Sequence, residues 1–171
     1  MNQEIFYGTN FAIADSFLNE KRFYNASKIV LAMEKFVSDN FRGLVEITSE
    51  VSEDRLVFIS VESLAMFFKD VFNFVFGRAL LKIHLYIDGG RLFMYLTSNP
   101  VIECPVDEAT RLVRFARDVG FSVSNVDGKT LFYIDCKQKQ SYKIYVPLIK
   151  DNVARIAEIF ENVFYELERS E

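Results

Sequence analysis

Residues 80–98 read LLKIHLYIDGGRLFMYLTS, two runs of β-forming side chains on either side of Asp88-Gly89-Gly90. Aspartate followed by two glycines supplies the positive backbone angles that a tight hairpin turn requires. The flanking runs are apolar or alternating, as half-buried strands are. The segment therefore reads as an antiparallel hairpin, with 80–87 beside 91–97.

Working upstream, Ser60 stands where a helix N-cap belongs, before VESLAMFFKDVFNFVFG. Leu64, Phe67, Phe68, Val71, Phe72 and Val75 recur at spacings of three and four, which predicts a helix over 61–77 with a broad apolar face. Phe68 and Val71 are expected to face the sheet. Leu56 to Ile59 and Leu44 to Thr48 read as strands separated by the polar turn SEVSED. Asn25 to Phe41 reads as a helix, capped by Asn25 or Ser27 and stopped by Gly43. Residues 1–24 have no clear pattern beyond a possible short helix at Asn10 to Glu20.

Downstream, Pro100 and Pro105 bracket an irregular connection to a helix over 107–119. Leu112, Phe115, Ala116 and Val119 form its apolar face, and Gly120 stops it. Phe121 to Ser124, Thr130 to Cys136 and Tyr142 to Val146 read as strands, with Asp127-Gly128 and KQKQ as turns. Asp151 to Leu167 is an amphipathic closing helix. The pattern is that of one α+β domain with a mixed, mainly antiparallel sheet, helices packed on one face, and further helices at both ends. Its parts are an N-terminal helical segment (1–43), a core (44–136) and an added strand and helix (137–171).

Composition agrees with a globular chain. The 171 residues are 50% hydrophobic and 26% charged, with 18 Phe, 8 Tyr and no Trp, enough for a sizeable core. Net charge is −4 with the signs interspersed, which leaves no electrostatic footprint for nucleic acid. No apolar run is long enough to span a membrane. The opening MNQEIFYGTN lacks the pattern of a signal peptide. Cys104 and Cys136 form no CxxC pair and match no zinc spacing, so a reduced, cytoplasmic chain is expected.

The order of elements from 44 to 136, with Ser60 and Leu64 opening the first core helix, resembles the ATPase domain of histidine kinases, gyrase B and the Hsp90 chaperones. The run from Arg111 through Gly120 to FSVSNVDGKTLFYI resembles the close of that domain. The resemblance implies a nucleotide cleft, but the residues at its places depart from the family. Asp70 falls at the polar position four before the family's magnesium-binding asparagine, and Phe74 falls at the asparagine. A one-residue shift brings Asn73 into place but sets Lys69 at the polar position. Neither a phenyl ring nor an ammonium is a magnesium ligand.

The family's Asp-x-Gly-x-Gly box falls on Ser98, Pro100 and Ile102, with Asn99 between them. No glycine stands between Gly90 and Gly120, so the phosphate-cradling loop of the family has no counterpart. The resemblance thus implies a degenerate member whose vestigial cleft comprises Asp70, Asn73, Phe74, Ser98, Asn99, Pro100 and Ile102. No catalytic residue, metal or cofactor is expected, and ATP is not expected to bind.

Other chemistry is sparse. His84 is the only histidine and lies in a strand. Activation of Cys104 would need a nearby base or cation, and Glu103 beside it opposes thiolate formation. Glu50, Glu53 and Asp54 make a solvated acidic turn. The leading expectation is a non-catalytic interaction or scaffolding module in bacterial-type signal transduction. Its partner is expected to be another protein, or a second copy reached through a terminal helix, with no nucleic acid and no membrane. The alternative is a small-molecule binder that uses the vestigial cleft.

Overall fold

A computed structural model of the chain describes residues 21–51, 55–126, 129–138 and 153–169. The helix expected at 10–20, the turn at Asp127-Gly128 and the strand at 142–146 lie outside these residues.

The hairpin is present. Strand β4 (Leu80–Asp88) and strand β5 (Arg91–Asn99) pair antiparallel along their full length, from Leu80 opposite Asn99 to Asp88 opposite Arg91. Gly89 and Gly90 turn the chain with φ of 58° and 77°, a conformation that favours glycine. On one face Ile83 meets Leu96 and Leu85 meets Met94. On the other, His84 meets Tyr95 and Tyr86 meets Phe93.

Around the hairpin lie β2 (Val45–Glu50), β6 (Ser122–Val126) and β7 (Lys129–Asp135). They complete a five-stranded sheet in the order β2-β4-β5-β7-β6. The β2–β4 pair is parallel and the other pairs are antiparallel. The expected mixed, mainly antiparallel α+β architecture is therefore what the chain forms. One strand departs from the expected arrangement. The segment Arg55–Ile59, β3, leaves this sheet and pairs with β1 (Arg22–Asn25) and β8 (Lys137–Gln138) in a second, three-stranded sheet. Strand β1 had no readable pattern because only four residues form it.

Four helices are described. Helix α1 (Ala26–Asn40) starts at Asn25, whose side chain accepts from the Ser27 N–H at 3.1 Å. Helix α2 (Val61–Val75) starts at Ser60, whose hydroxyl accepts from the Ser63 N–H at 3.2 Å. Both are N-cap bonds that satisfy an orphan amide of the first turn. Helix α3 (Val106–Val119) ends at Gly120, with φ 123°. A Cβ at Gly120 would stand 3.1 Å from the Phe58 carbonyl oxygen, so the end of α3 passes close against β3 there. Helix α4 (Val153–Arg169) closes the chain.

Phe67 of α2 meets Phe132 of β7 with ring centroids 5.3 Å apart, edge to face. Phe68 does not face the sheet as the periodicity suggested. Besides Phe41 and Phe72, its ring neighbours are Phe36, Phe160 and Phe164 on α1 and α4, at 6.2, 6.5 and 5.5 Å. The reason is the breadth of the apolar face of α2, which is buried on both flanks. One flank rests on the sheet and the other receives the terminal helices.

Candidate functional site

A cluster of ionisable groups bridges α2 and α3. The Asp70 side chain is only 10% exposed, and its Oδ1 accepts from Arg111 Nη2 at 2.5 Å. Arg111 Nη1 also stands 3.6 Å from Glu108 Oε2, one helical turn back on α3. The remaining oxygens, Asp70 Oδ2 and Glu108 Oε1, are buried without a further hydrogen-bond partner. Burial pushes the Glu108 carboxyl above its ordinary range, the hydrogen bond and charge of Asp70 push it the same way, and Arg111 opposes them. Two carboxyls held this close to one guanidinium disfavour each other's ionisation, which is the direction of the Glu108 shift.

Cys104 lies beside this cluster. Burial raises its thiol, and the nearby Glu108 and Asp70 raise it further. The thiol is therefore held protonated, the reverse of an activated nucleophile. Glu108 and Asp70, rather than Glu103, supply the acidic influence.

His84 stacks on Tyr95, with ring centroids 4.3 Å apart and planes at 10°, and its Nε2 lies 3.2 Å from Thr97 Oγ1. Burial, Lys82 and Lys129 lower its pKa, so it stays neutral to lower pH than a free imidazole.

The positions named from the sequence go to several places. Asp70 turns to α3. Asn73 is exposed, and Phe74 lies under the Arg78 guanidinium at 5.0 Å. Ser98 and Ile102 are brought together, because the Ser98 hydroxyl accepts from the Ile102 N–H at 3.2 Å. Asn99 and Pro100 are exposed at the end of the sheet. Lys69, the alternative to Asp70 in the shifted alignment, points the other way and donates to the Phe164 carbonyl of α4 at 2.7 Å. Glu108 and Arg111 were not singled out. Their i, i+3 spacing on a helix was the available signal.

Two concavities flank Cys104. A cavity of about 390 Å³ lies beneath α3, lined by Ile102, Leu112, Val113 and Phe132 among others. An open groove of about 520 Å³ runs over the outer side of α3, along Val106, Ala109, Val113, Arg114 and Arg117. Among the described residues no group of three or more His, Cys, Asp and Glu side chains is placed to hold a metal. No helix among them is long and apolar enough to cross a membrane.

No family model and no curated protein matches the sequence. Among solved structures the chain is similar to the catalytic domain of the histidine kinase ThkA in two nucleotide-free crystal forms. The first gives a TM-score of 0.47 at 11% identity, covering 68% of this chain and 96% of that one. The second gives 0.44 at 12%, covering 68% and 95%. A blue-light activated histidine kinase of Erythrobacter litoralis matches with a TM-score of 0.36 at 14% identity, over 64% of this chain and 43% of that one.

Proposed function

We propose that this chain is a non-catalytic domain of the histidine kinase ATPase type that serves as a protein-interaction module in signal transduction. The observation that carries this is the Asp70–Arg111 pair. In the sequence resemblance Asp70 occupies the polar place beside the magnesium asparagine. Here it is occupied by a guanidinium from α3, while Asn73 faces solvent and Phe74 packs under Arg78. A helix pair tied in this way holds Asp70 Oδ1 on a guanidinium and keeps Oδ2 buried, so neither oxygen is presented to a hydrated cation.

The contact surface we assign is the outer face of α3 with the connection before it. Val101 and Val106 are 90% and 80% exposed. The apolar faces of α1 and α4, by contrast, are turned toward each other and toward α2, as the Phe36–Phe160 and Phe36–Phe164 contacts at 5.6 and 5.0 Å show. Among their described residues Leu31 and Tyr165 are the large hydrophobics left exposed, each about half. On α3, Arg114 and Arg117 pair with no carboxylate among the described residues. Apolar residues beside unpaired arginines suit an amphipathic helix with an acidic flank.

The test is affinity capture by the full chain and by an Arg114→Glu/Arg117→Glu variant, followed by reconstitution with the purified partner. A partner bound by the first and lost by the second supports the reading. Equal binding by both refutes the surface. Turnover of Mg-ATP by the purified chain refutes the non-catalytic role.

A further inference from the structure

Strands β5 and β7 run side by side for only part of their length. Their pairing runs from Arg91 opposite Asp135 to Met94 opposite Phe132 and stops there. Both strands go on. β5 stays paired to β4 as far as Asn99, and β7 stays paired to β6 back to Lys129. The sheet therefore forks between them.

The inner edges of the fork are polar. The Cys136 N–H donates to the Gly90 carbonyl at 2.8 Å. In an antiparallel ladder such hydrogen-bonded pairs recur at every second residue. Leu92–Ile134 and Met94–Phe132 are the next pairs, and Leu96 and Thr130 would follow. Their backbone N–H and C=O groups point into the fork where the ladder has ended. Backbone groups shielded from water without a partner are unfavourable, so a group that bonds to them stabilises the fork.

The 390 Å³ cavity occupies this place and is roofed by α3. Its volume is in the range of small-molecule sites. Leu96, Ile102, Leu112, Val113 and Phe132 make its body apolar. Thr97, Thr130 and Lys129 lie on its strand side. The Lys129 ammonium sits 5.5 Å from the Tyr95 ring centroid and pairs with no carboxylate among the described residues. The cavity thus combines an apolar body, a cation with no carboxylate partner among the described residues, and the strand edges where the β5–β7 pairing ends. Among the described residues no second cation lines it, which does not suit a phosphate dianion.

We propose that this fork is a binding site for a small amphipathic monocarboxylate, an unbranched acyl chain ending in a carboxylate. The chain lies between Ile102, Leu112 and Phe132, and the carboxylate meets Lys129 and the backbone amides where the β5–β7 pairing ends. The site lies on the sheet side of α3 and shares Ala109 and Val113 with the outer groove, but Lys129 lines only the fork, so the Lys129 variant tests it apart from the protein-partner reading.

The experiment is calorimetric titration of the full chain with octanoate, with octanol as the uncharged comparison. Wild type is expected to bind octanoate saturably and octanol more weakly. Lys129→Ala should weaken octanoate about tenfold, the usual effect of losing a charge-assisted hydrogen bond, and leave octanol unchanged. Ala109→Leu, which fills the cavity from α3, should abolish both. Val113→Leu does the same from the next turn and serves if Ala109→Leu lowers the melting temperature. The proposal is overturned if octanoate shows no saturable binding at millimolar concentration. It is equally overturned if neither filling variant alters that binding, or if octanol binds as tightly as octanoate.

Discussion

Lys69 and Asp70 are neighbours in sequence on α2 and hold opposite sides of the domain. Lys69, only 7% exposed, donates to the Phe164 carbonyl and lies 5.7 Å from the centre of the Phe164 ring. Asp70 accepts from Arg111 on α3. One consecutive pair therefore fastens α2 to two different helices.

Lys69→Ala should destabilise the fold by about 2 kcal/mol, the range for a hydrogen bond to a charged group. Lys69→Met keeps the packed stem and should cost less than half as much. Chemical denaturation measures both. Equal losses would mean that the ammonium contributes nothing beyond what its stem does.

Phe68→Ala should cost about 3–5 kcal/mol, as for other buried phenylalanines. Phe67→Ala should cost a similar amount, but through different neighbours. Hydrogen exchange separates them. Phe68→Ala should lower protection most in 153–169, because Phe160 and Phe164 lose their partner. Phe67→Ala should lower it most in β7, around Phe132. The same exchange pattern in both variants would contradict the opposed directions of the two rings.

The acid cluster should leave a pH signature. The Glu108 pKa is raised in the fold above the ordinary carboxyl value of 4.5. Between those two values the folded state holds more protons than the unfolded state, so stability falls as pH rises. Its contribution is fully present below 4.5 and is lost as pH passes the folded value. Glu108→Gln mimics the protonated form. It should raise the melting temperature near neutral pH relative to wild type and leave it unchanged in acid. A melting temperature lowered at neutral pH would show that Glu108 is needed ionised. Asp70→Asn should lower stability at neutral pH, because Arg111 loses its partner.

Mg-ATP at millimolar concentration should leave thermal unfolding unmoved and release no phosphate above buffer. A site present at 100 times its dissociation constant would stabilise the fold by about 2.7 kcal/mol, a shift that is easily read. A rise in melting temperature that disappears on mutating Ser98 to Ile102 would restore a nucleotide-dependent role.

Gly120→Ala should cost about 1–3 kcal/mol through backbone strain, because φ there is 123° and the Phe58 carbonyl stands 3.1 Å from the new Cβ. Denaturant titration measures the loss. A neutral substitution would mean that β3 and the end of α3 can move apart.

What the sequence made legible was local. The Asp88-Gly89-Gly90 turn, the alternation around it, the caps at Asn25 and Ser60 and the stop at Gly120 all depend on neighbours within a few residues. Partnerships across the chain were not legible. Nothing in RLVFI tells which sheet β3 joins, since its alternation suits either. The direction of Phe68 depends on where α1 and α4 dock. Asp70 and Arg111 are 41 residues apart, and only the packing of α2 on α3 brings them together. Absent glycines could be read directly, whereas the arginine that takes up Asp70 could not.

The stacking of His84 on Tyr95 makes the chain its own sensor. With a single histidine, the protein has one set of imidazole proton resonances, free of overlap from any other. The tyrosine ring at 4.3 Å should shift them by its ring current. Tyr95 also lines the fork, and Lys129 is one of the charges that lower the His84 pKa. A carboxylate bound to Lys129 would cancel part of that charge and move the imidazole titration upward. One resonance, followed through a pH series, would then report whether the fork is filled.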